Sequence, residues 1–264
     1  MQNHTKTLKE RVRLFWDRSP CGMGDVRQHP IGSKDFFNAL EQLRYKNDDF
    51  MSGQIQFGRY RGRAVLEVGC GLGTDLVQFA RVGANTYGLD LSGRSVELAA
   101  RRLKEEGCRG CLLQADAERL PFKDNAFDLV YSWGVLHHTP DTAGAIREMI
   151  RVCKPEGELL VMLYHLRSLV TLQVWLRYGL LRGNPWASPR RLIANHMESP
   201  GTKAYTREEA CDLFAGMHEV ATRSIVTCYD ARIGRRLFLP RAIRRLIPSS
   251  LGWFLLIRAK GKPR

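Results

Sequence analysis

Three glycines at two-residue spacing follow one apolar run, and a carboxylate ends the next apolar run. The glycines are Gly69, Gly71 and Gly73, and the carboxylate is Asp90. Glycines permit a tight turn and let a ligand lie against bare backbone, close to the N–H groups of a following helix. A carboxylate at the end of a neighbouring strand binds the ribose diol in nucleotide-binding sheets. The G-x-G-x-G spacing differs from the dinucleotide-binding and P-loop patterns, so we expect another kind of nucleoside ligand.

Histidine and tyrosine side chains are the candidates for proton transfer. His137 and His138 follow the predicted fourth strand, and Tyr164 and His165 end the fifth. Both places lie where sheet topology puts the substrate crevice, and a histidine titrates near neutral pH. Adjacent histidines on a regular element cannot face the same way, so we expect at most one of the first pair to line the crevice. His138 or His165, with Tyr164, is therefore predicted to act in catalysis, with simple packing or helix capping as the alternative.

No metal site is predicted. The neighbouring histidines have no clustered cysteine or carboxylate beside them in the sequence, as a metal site would need. Cys108 and Cys111 have zinc-like spacing, but there is no second pair, so a turn is the favoured interpretation.

The elements that must position these residues are indicated by short apolar runs that alternate with amphipathic segments. Candidate strands cover residues 64–68, 86–89, 112–114, 127–132, 158–163, 224–229 and 252–257. Helical patterns cover residues 74–82, 93–106, 141–152 and 207–214. Continuous apolar strands alternating with helices predict a Rossmann-like, doubly wound α/β fold with a mostly parallel sheet of seven strands. The last two strands have no clear helix between them, which predicts that the final strand is antiparallel.

The chain divides into two parts on this pattern. Residues 1–63 are predicted to form an N-terminal helical cap, and residues 64–264 form the sheet domain. Within the sheet domain, residues 165–205 are an insertion or lid after the fifth strand, and residues 229–264 are a basic C-terminal segment.

Three further motifs identify the nucleoside. LQADAERLPF closes the third strand at residues 113–122, NAFDLVYSWGVLHH covers residues 125–138, and RVCKPEG covers residues 151–157. With these motifs in this order, residues 64–163 closely resemble the class I S-adenosylmethionine-dependent methyltransferases, in particular the type 11 small-molecule group. The last motif usually reads L-K-P-G-G in that family, so Cys153 and Glu156 depart from it.

The resemblance implies that the cofactor is S-adenosylmethionine and that S-adenosylhomocysteine is its product. It assigns the residues that bind the cofactor: Glu67, Gly69, Cys70, Gly71 and Gly73 beside the methionine and ribose, Asp90 at the ribose hydroxyls, Leu91, Asp116 and Ala117 around the adenine, Trp133 and Gly134 at the methionine end, and Tyr45 and Arg44 from the cap at the methionine carboxylate. Helix capping by the two aspartates and core packing of Trp133 are the structural alternatives.

Charge bears on the acceptor and on docking. The 264 residues carry 41 Lys+Arg against 27 Asp+Glu, a formal net charge of +14, and most of the excess lies in residues 229–264. There the basic residues alternate with leucines and isoleucines, which favours an anionic lipid surface or an anionic acceptor. The sequence lacks an apolar stretch of about 18 residues and a signal-type apolar core, and its seven cysteines show no regular spacing. A cytoplasmic location is therefore expected.

The expected acceptor is a hydroxyl, amine or activated carbon of a small hydrophobic or anionic metabolite. Nucleic acid is disfavoured because Ser132-Trp133-Gly134 stands where base-amino methyltransferases carry an Asn/Asp-Pro-Pro-aromatic motif. Two alternatives stay open. One is an RNA-directed methyltransferase that uses the basic segment, and the other is a non-catalytic module that only binds the cofactor.

Overall fold

The computed structural model describes residues 7–233, 237–238, 240 and 244–261. The strands are β1 (Ala64–Val68), β2 (Asn85–Asp90), β3 (Cys111–Gln114), β4 (Phe127–Trp133), β5 (Cys153–Tyr164), β6 (Glu219–Ile225), β7 (Arg232–Ile233), β8 (Leu237–Phe238) and β9 (Phe254–Lys260). The α-helices are α1 (Leu8–Arg18), α2 (Lys34–Asn47), α3 (Met51–Ile55), α4 (Thr74–Arg81), α5 (Gly93–Glu105), α6 (Thr142–Val152), α7 (Leu169–Tyr178), α8 (Pro189–His196) and α9 (Arg207–Leu213).

Seven strands form one sheet in the order β3-β2-β1-β4-β5-β9-β6, which confirms the predicted fold class. The strands from β3 to β5 are parallel, whereas β9 is antiparallel to both of its neighbours. Residues alternate between two apolar layers, with Leu66 and Val130 on one face and Val65 and Leu129 on the other. The final strand is internal: Leu255, within it, is fully buried. β7 and β8 pair separately from this sheet.

The last two strands of the sheet do not begin where the apolar runs predicted. β6 covers residues 219–225 instead of 224–229, and β9 covers residues 254–260 instead of 252–257. β6 is an edge strand with an alternating, half-exposed pattern, so it carries no continuous apolar signal. The apolar residues after it enter a turn in which the Asp230 Oδ2 atom accepts hydrogen bonds from the Thr227 N–H at 2.7 Å and the Trp253 N–H at 3.0 Å.

Helical segments on both sides of the sheet cover its carboxyl edge. The cap helix α2 is attached to α5 because the Arg102 guanidinium donates a hydrogen bond to the Glu41 carboxylate at 2.5 Å and lies over the Phe37 ring. Between β5 and α9, the helices α7 and α8 pack on each other, and the rings of Tyr178 and His196 stack at 4.0 Å. Helix α9 begins with a capping box formed by Thr206 and Glu209. No helix within the described ranges is long and apolar enough to cross a bilayer.

The basic C-terminal segment is only partly covered by these ranges. Five of its basic residues, Arg235, Arg236, Arg241, Lys262 and Arg264, lie outside the described residues.

Candidate active site

One cavity of about 840 Å³ lies at the carboxyl ends of the central strands, between the cap helices and α7. The predicted site residues that line it are Arg44, Gly69, Gly71, Asp90, Leu91, Asp116, Ala117, Trp133, Gly134, His138 and Tyr164. The predicted site residues outside its lining are Tyr45, Glu67, Cys70, Gly73 and His165. The sheet therefore brings most of the predicted residues to one cavity, although they come from five separate strand ends.

The glycine turn after β1 leaves open space at one position only. Gly69, Gly71 and Gly73 all have positive φ angles, of 78°, 50° and 73°. A Cβ atom at Gly69 would lie 2.3 Å from a Val135 methyl carbon, and one at Gly73 would lie 3.2 Å from the Ala99 Cβ, so both are needed for packing. A Cβ atom at Gly71 would meet no atom within 4 Å. Gly71 therefore provides bare backbone on the cavity wall.

Asp90 is held in a fixed orientation by backbone donors. Its Oδ1 atom accepts a hydrogen bond from the Ser92 N–H at 2.8 Å, and its Oδ2 atom accepts one from the Gly71 N–H at 2.9 Å. Burial raises the pKa of the Asp90 carboxyl even though these hydrogen bonds favour its charged form. Each carboxylate oxygen accepts more than one hydrogen bond, so the group can also receive the two hydroxyls of a ribose.

Lys9 of α1 contacts the opposite edge of this wall, which the sequence did not predict. Its Nζ atom lies 2.6 Å from the Asp116 Oδ2 atom and also pairs with the Glu118 carboxylate. Val12 and Trp16 of the same helix line the cavity. No sequence pattern predicts this contact, because Lys9 and Asp116 are far apart in the chain and are brought together only by the fold.

Of the neighbours Arg44 and Tyr45 on α2, Arg44 lines the cavity and Tyr45 does not. The Arg44 guanidinium donates to the Asp75 Oδ2 atom at 2.8 Å and lies 5.8 Å from the centre of the Trp133 ring. Burial opposes its charge, but Asp75 and Asp48 outweigh burial and raise the pKa of Arg44. The Tyr45 hydroxyl donates to the same buried Asp75, at 2.9 Å. Tyr45 therefore supports Arg44 from behind and does not reach the cavity.

Glu67 and Cys70 are buried beneath the wall. Burial and the nearby Asp75 raise the pKa of the Glu67 carboxyl well above its usual value. The Glu67 Oε2 atom has no hydrogen-bond partner among the described residues. Cys70 packs with Leu76 and Ala99, and burial raises the pKa of its thiol. This thiol is therefore an apolar packing group and not a nucleophile.

His138 is oriented by hydroxyl groups and faces a carboxylate. Its Nδ1 atom lies 2.8 Å from the Ser199 Oγ atom and 3.1 Å from the Thr202 Oγ1 atom. The Thr202 hydroxyl donates its own hydrogen to the Ser199 carbonyl at 2.7 Å, so toward His138 it acts as an acceptor. This arrangement suits a hydrogen on Nδ1, and the buried Nε2 atom is the one that faces Glu198.

Glu198 contacts both His138 and Tyr164, and no sequence pattern predicts it as a site residue. Its Oε2 atom lies 3.2 Å from the His138 Nε2 atom and accepts a hydrogen bond from the Tyr164 hydroxyl at 2.9 Å. Partial desolvation at the cavity wall opposes ionisation of Glu198, but His138 and Tyr164 outweigh it and lower the carboxyl pKa. Glu198 has a φ of 23°, a backbone conformation that costs a residue with a side chain about 1–3 kcal/mol.

The other two candidate histidines do not line the cavity. His137 is fully buried and stacks on the Tyr164 ring at 3.7 Å. Burial lowers its pKa well below the usual value. The His165 Nδ1 atom lies 3.0 Å from the Gly252 carbonyl oxygen, and burial lowers the pKa of His165. Possible ligand atoms of His137, His138 and Glu198 lie within 4.8 Å of one another, a grouping that the sequence did not predict.

Another part of the cavity is a chamber with mostly apolar walls, although Gln173 and Asp230 also line the cavity. Its walls come from the end of β5, the start of β9 and the inner face of α7: Met162, Phe254, Trp253, Val170 and Val174. His138 and Glu198 line the same cavity as Gly71 and Asp90 and as the residues of this apolar chamber.

Comparisons with known proteins agree with this geometry. Residues 66–161 match the family model described as a methyltransferase domain. Methyltransferase GfsG of Streptomyces halstedii is 38% identical over 103 residues, which cover 38% of this chain and 37% of GfsG. Demethylmenaquinone methyltransferase of Lactococcus lactis is 32% identical over 131 residues, which cover 47% of this chain and 51% of that enzyme. The chain thus spans about half or less of the length of these curated relatives.

A solved structure supports the fold over the whole length. Magnesium protoporphyrin IX methyltransferase from Synechocystis PCC 6803, solved with bound S-adenosylmethionine, aligns with a TM-score of 0.59 at 15% identity. The alignment covers 99% of this chain and 100% of that one. At this identity it establishes a shared architecture only. The match over residues 66–161 identifies that part of the chain as a methyltransferase domain, and the solved structure shows that the chain as a whole shares the fold of such an enzyme.

Proposed function

We propose that this protein transfers a methyl group from S-adenosylmethionine to a hydrophobic small molecule that loses a proton in the reaction. The observation that carries the proposal is that one cavity contains the strand-end residues expected to bind a nucleoside, the His138–Glu198 pair and the apolar chamber. The position of the pair on the wall of this cavity supports a catalytic role over one in packing alone.

The cofactor wall fits the expected donor. Gly71 offers a bare backbone surface, Asp90 offers a fixed carboxylate for two ribose hydroxyls, and Asp116 offers acceptors at the adenine edge. Arg44 would bind the methionine carboxylate, since it is the cation that the cap presents beside Trp133. When bound, the cofactor supplies a methyl group on a positively charged sulfur, which is reactive without further activation.

His138 and Glu198 would act together as the general base. The acceptor atom forms its bond to the methyl carbon while the methyl–sulfur bond breaks and sulfur keeps the electron pair. The proton released by the acceptor passes to the Glu198 carboxylate, which is exposed at the cavity wall, and is shared with the His138 Nε2 atom 3.2 Å away. Ser199 and Thr202 keep the ring in the tautomer that can accept this proton. The Tyr164 hydroxyl holds Glu198 in place from the other side.

A base at this position favours some acceptors over others. A hydroxyl or an acidic carbon must lose its proton to become nucleophilic, whereas a neutral amine attacks first and loses its proton afterwards. The apolar chamber favours a molecule with a large hydrocarbon or ring portion. The names of two similar proteins, a demethylmenaquinone and a protoporphyrin methyltransferase, denote acceptors of this kind.

The proposal is tested by incubating the protein and an organic cell extract with methyl-labelled cofactor, followed by mass spectrometry of the labelled product. Glu198→Gln keeps the side-chain size and removes the charge, and we expect it to lower the initial rate at least about tenfold, because a positioned base contributes about 10²–10⁴. Exposed Glu105→Gln on α5 is the matched control. Binding of S-adenosylhomocysteine, measured by calorimetry, should be unchanged in both. Equal rates in the two variants would refute base catalysis at this pair.

A further inference from the structure

Exposed apolar side chains are concentrated on the segment from α7 to the start of α8. Five large apolar residues within residues 172–186 are exposed: Leu172, Leu176, Leu180, Leu181 and Trp186. Leu181 is 80% exposed and Trp186 is 93% exposed. Single exposed leucines are ordinary on a protein surface, but a contiguous group with a tryptophan marks an interaction site. We call residues 172–186 the α7–α8 surface.

The charge of this region has one sign. The α7–α8 surface contains Arg177 and Arg182 and no aspartate or glutamate. Of the arginines on either side of it, Arg167 and Arg190 pair with Glu208 and Glu209. The guanidinium groups of Arg177 and Arg182 lie 5.1 Å and 5.2 Å from the centre of the Tyr178 ring. Cations are thus held beside the exposed apolar side chains, an arrangement that suits a partner with negative charge next to hydrocarbon. An anionic lipid surface has this composition.

The α7–α8 surface is continuous with the cavity. Leu176, Arg177, Tyr178 and Leu181 belong to it and also line the cavity, while Val170 and Val174 of the same helix face the apolar chamber. The exposed and enclosed parts of α7 therefore form one apolar path from the outside to the chamber. A partner that covers this surface would lie at the mouth of the site.

We propose that the α7–α8 surface docks on an anionic phospholipid bilayer and admits the apolar acceptor from it. This inference rests on the proposed function, because it names the source of that acceptor. Trp186 and the exposed leucines enter the interfacial region of the bilayer, where amphipathic rings and apolar side chains are favoured. The arginines contact the lipid phosphates. An acceptor dissolved in the bilayer then reaches the chamber along α7 without crossing water.

The docking test is co-sedimentation of the full chain with vesicles of phosphatidylcholine alone or of phosphatidylcholine and phosphatidylglycerol in equal parts. We expect binding to the anionic vesicles and a loss of about tenfold or more in the Leu180→Glu/Trp186→Glu double variant. Leu246→Glu is the matched control, because Leu246 is 81% exposed and lies beside Arg245 in the basic C-terminal segment. The proposal is overturned if the double variant binds as well as the wild type, or if only Leu246→Glu loses binding.

A second measurement separates lipid docking from self-association. The wild type should sediment as the same species as the double variant in analytical ultracentrifugation without lipid. A wild-type dimer that dissociates in the double variant would mean that a second copy covers this surface, and it would overturn the proposal. Addition of anionic vesicles should shift the tryptophan emission to shorter wavelength in the wild type and less in Trp186→Phe. An equal shift in both would also count against docking through this surface.

Failure of this inference can be distinguished from failure of the proposed function. Binding of S-adenosylhomocysteine by calorimetry and turnover of an acceptor dispersed in detergent report on the function alone. If both persist while vesicle binding is absent, the docking surface is wrong and the function stands. If the double variant is slow with acceptor in vesicles but normal in detergent, the surface acts in delivery as proposed.

Discussion

Replacing Gly71 by alanine tests whether the glycine turn holds a ligand. Gly71 has a φ of 50°, and a Cβ atom there would meet no protein atom within 4 Å. The added methyl group would therefore project into open space at the cavity wall. It would leave intact the hydrogen bond from the Gly71 N–H to Asp90. Only a ligand lying against the backbone would collide with it.

The chain offers a control with the same backbone cost. Gly107, in the turn after α5, has a φ of 63°, and a Cβ atom there also meets nothing within 4 Å. Gly107 does not line the cavity. Forcing alanine into the left-handed region costs about 1–2 kcal/mol in either variant. The two variants should therefore lose similar stability and differ only in ligand binding.

The assay combines calorimetry with S-adenosylhomocysteine and thermal unfolding of each protein. We expect Gly71→Ala to weaken binding at least about tenfold, which corresponds to 1.4 kcal/mol or more. Gly107→Ala should bind as the wild type does. If the Kd of Gly71→Ala lies within about twofold of that of Gly107→Ala, a difference of about 0.4 kcal/mol, the backbone at Gly71 does not contact the ligand. The assignment of Gly71 to the cofactor site is then refuted.

Three further predictions concern charge and metal. Asp90→Ala should weaken S-adenosylhomocysteine binding by more than about tenfold in calorimetry, because a bidentate carboxylate contact is lost; an unchanged affinity would contradict the ribose assignment. Burial raises the pKa of Asp230 to about 6, so the folded protein favours the neutral carboxyl. The resulting contribution to folding stability is complete below pH 3.8, the pKa of this group in the unfolded chain, and is lost as the pH rises through 6. Asp230→Asn has no titrating group at this position, so its free energy of unfolding should not follow this loss. The stability difference between wild type and variant, measured by thermal unfolding, should therefore change in favour of the variant by up to about 3 kcal/mol between pH 4 and pH 7; a constant difference would count against this. Exhaustive treatment with EDTA should leave turnover unchanged, because His138 and Glu198 act as a general base without a metal. Loss of activity that a divalent metal restores would instead assign these two residues, with His137, to a metal site.

The sheet and the strand-end residues that line the cavity could be predicted because each of their signals is local. A buried parallel strand is a continuous apolar run, and a turn with positive φ angles selects glycine, so β1 and the residues from Gly69 to Gly73 were recognisable. Edge strand β6 was misplaced because one of its faces meets solvent and its apolar residues are diluted. The neighbours Arg44 and Tyr45 show a finer limit. Both lie on α2, and which of them faces the cavity depends on the rotation of that helix about its axis, which packing sets and the sequence pattern does not.

The residues of the acceptor side come from segments with no common local pattern. His138 follows β4 and Tyr164 ends β5, so sheet topology alone brings these two together. Glu198 lies in the segment after α8, and nothing in its own sequence neighbourhood marks it. It reaches His138 because Ser199 and Thr202 bind the other side of that ring and hold the strained backbone in place. The donor site is thus encoded by the sheet, whereas the acceptor site depends on how the insertion after β5 folds over it. A change in that insertion would alter the acceptor while leaving the cofactor wall intact, so acceptor specificity should follow residues 165–205.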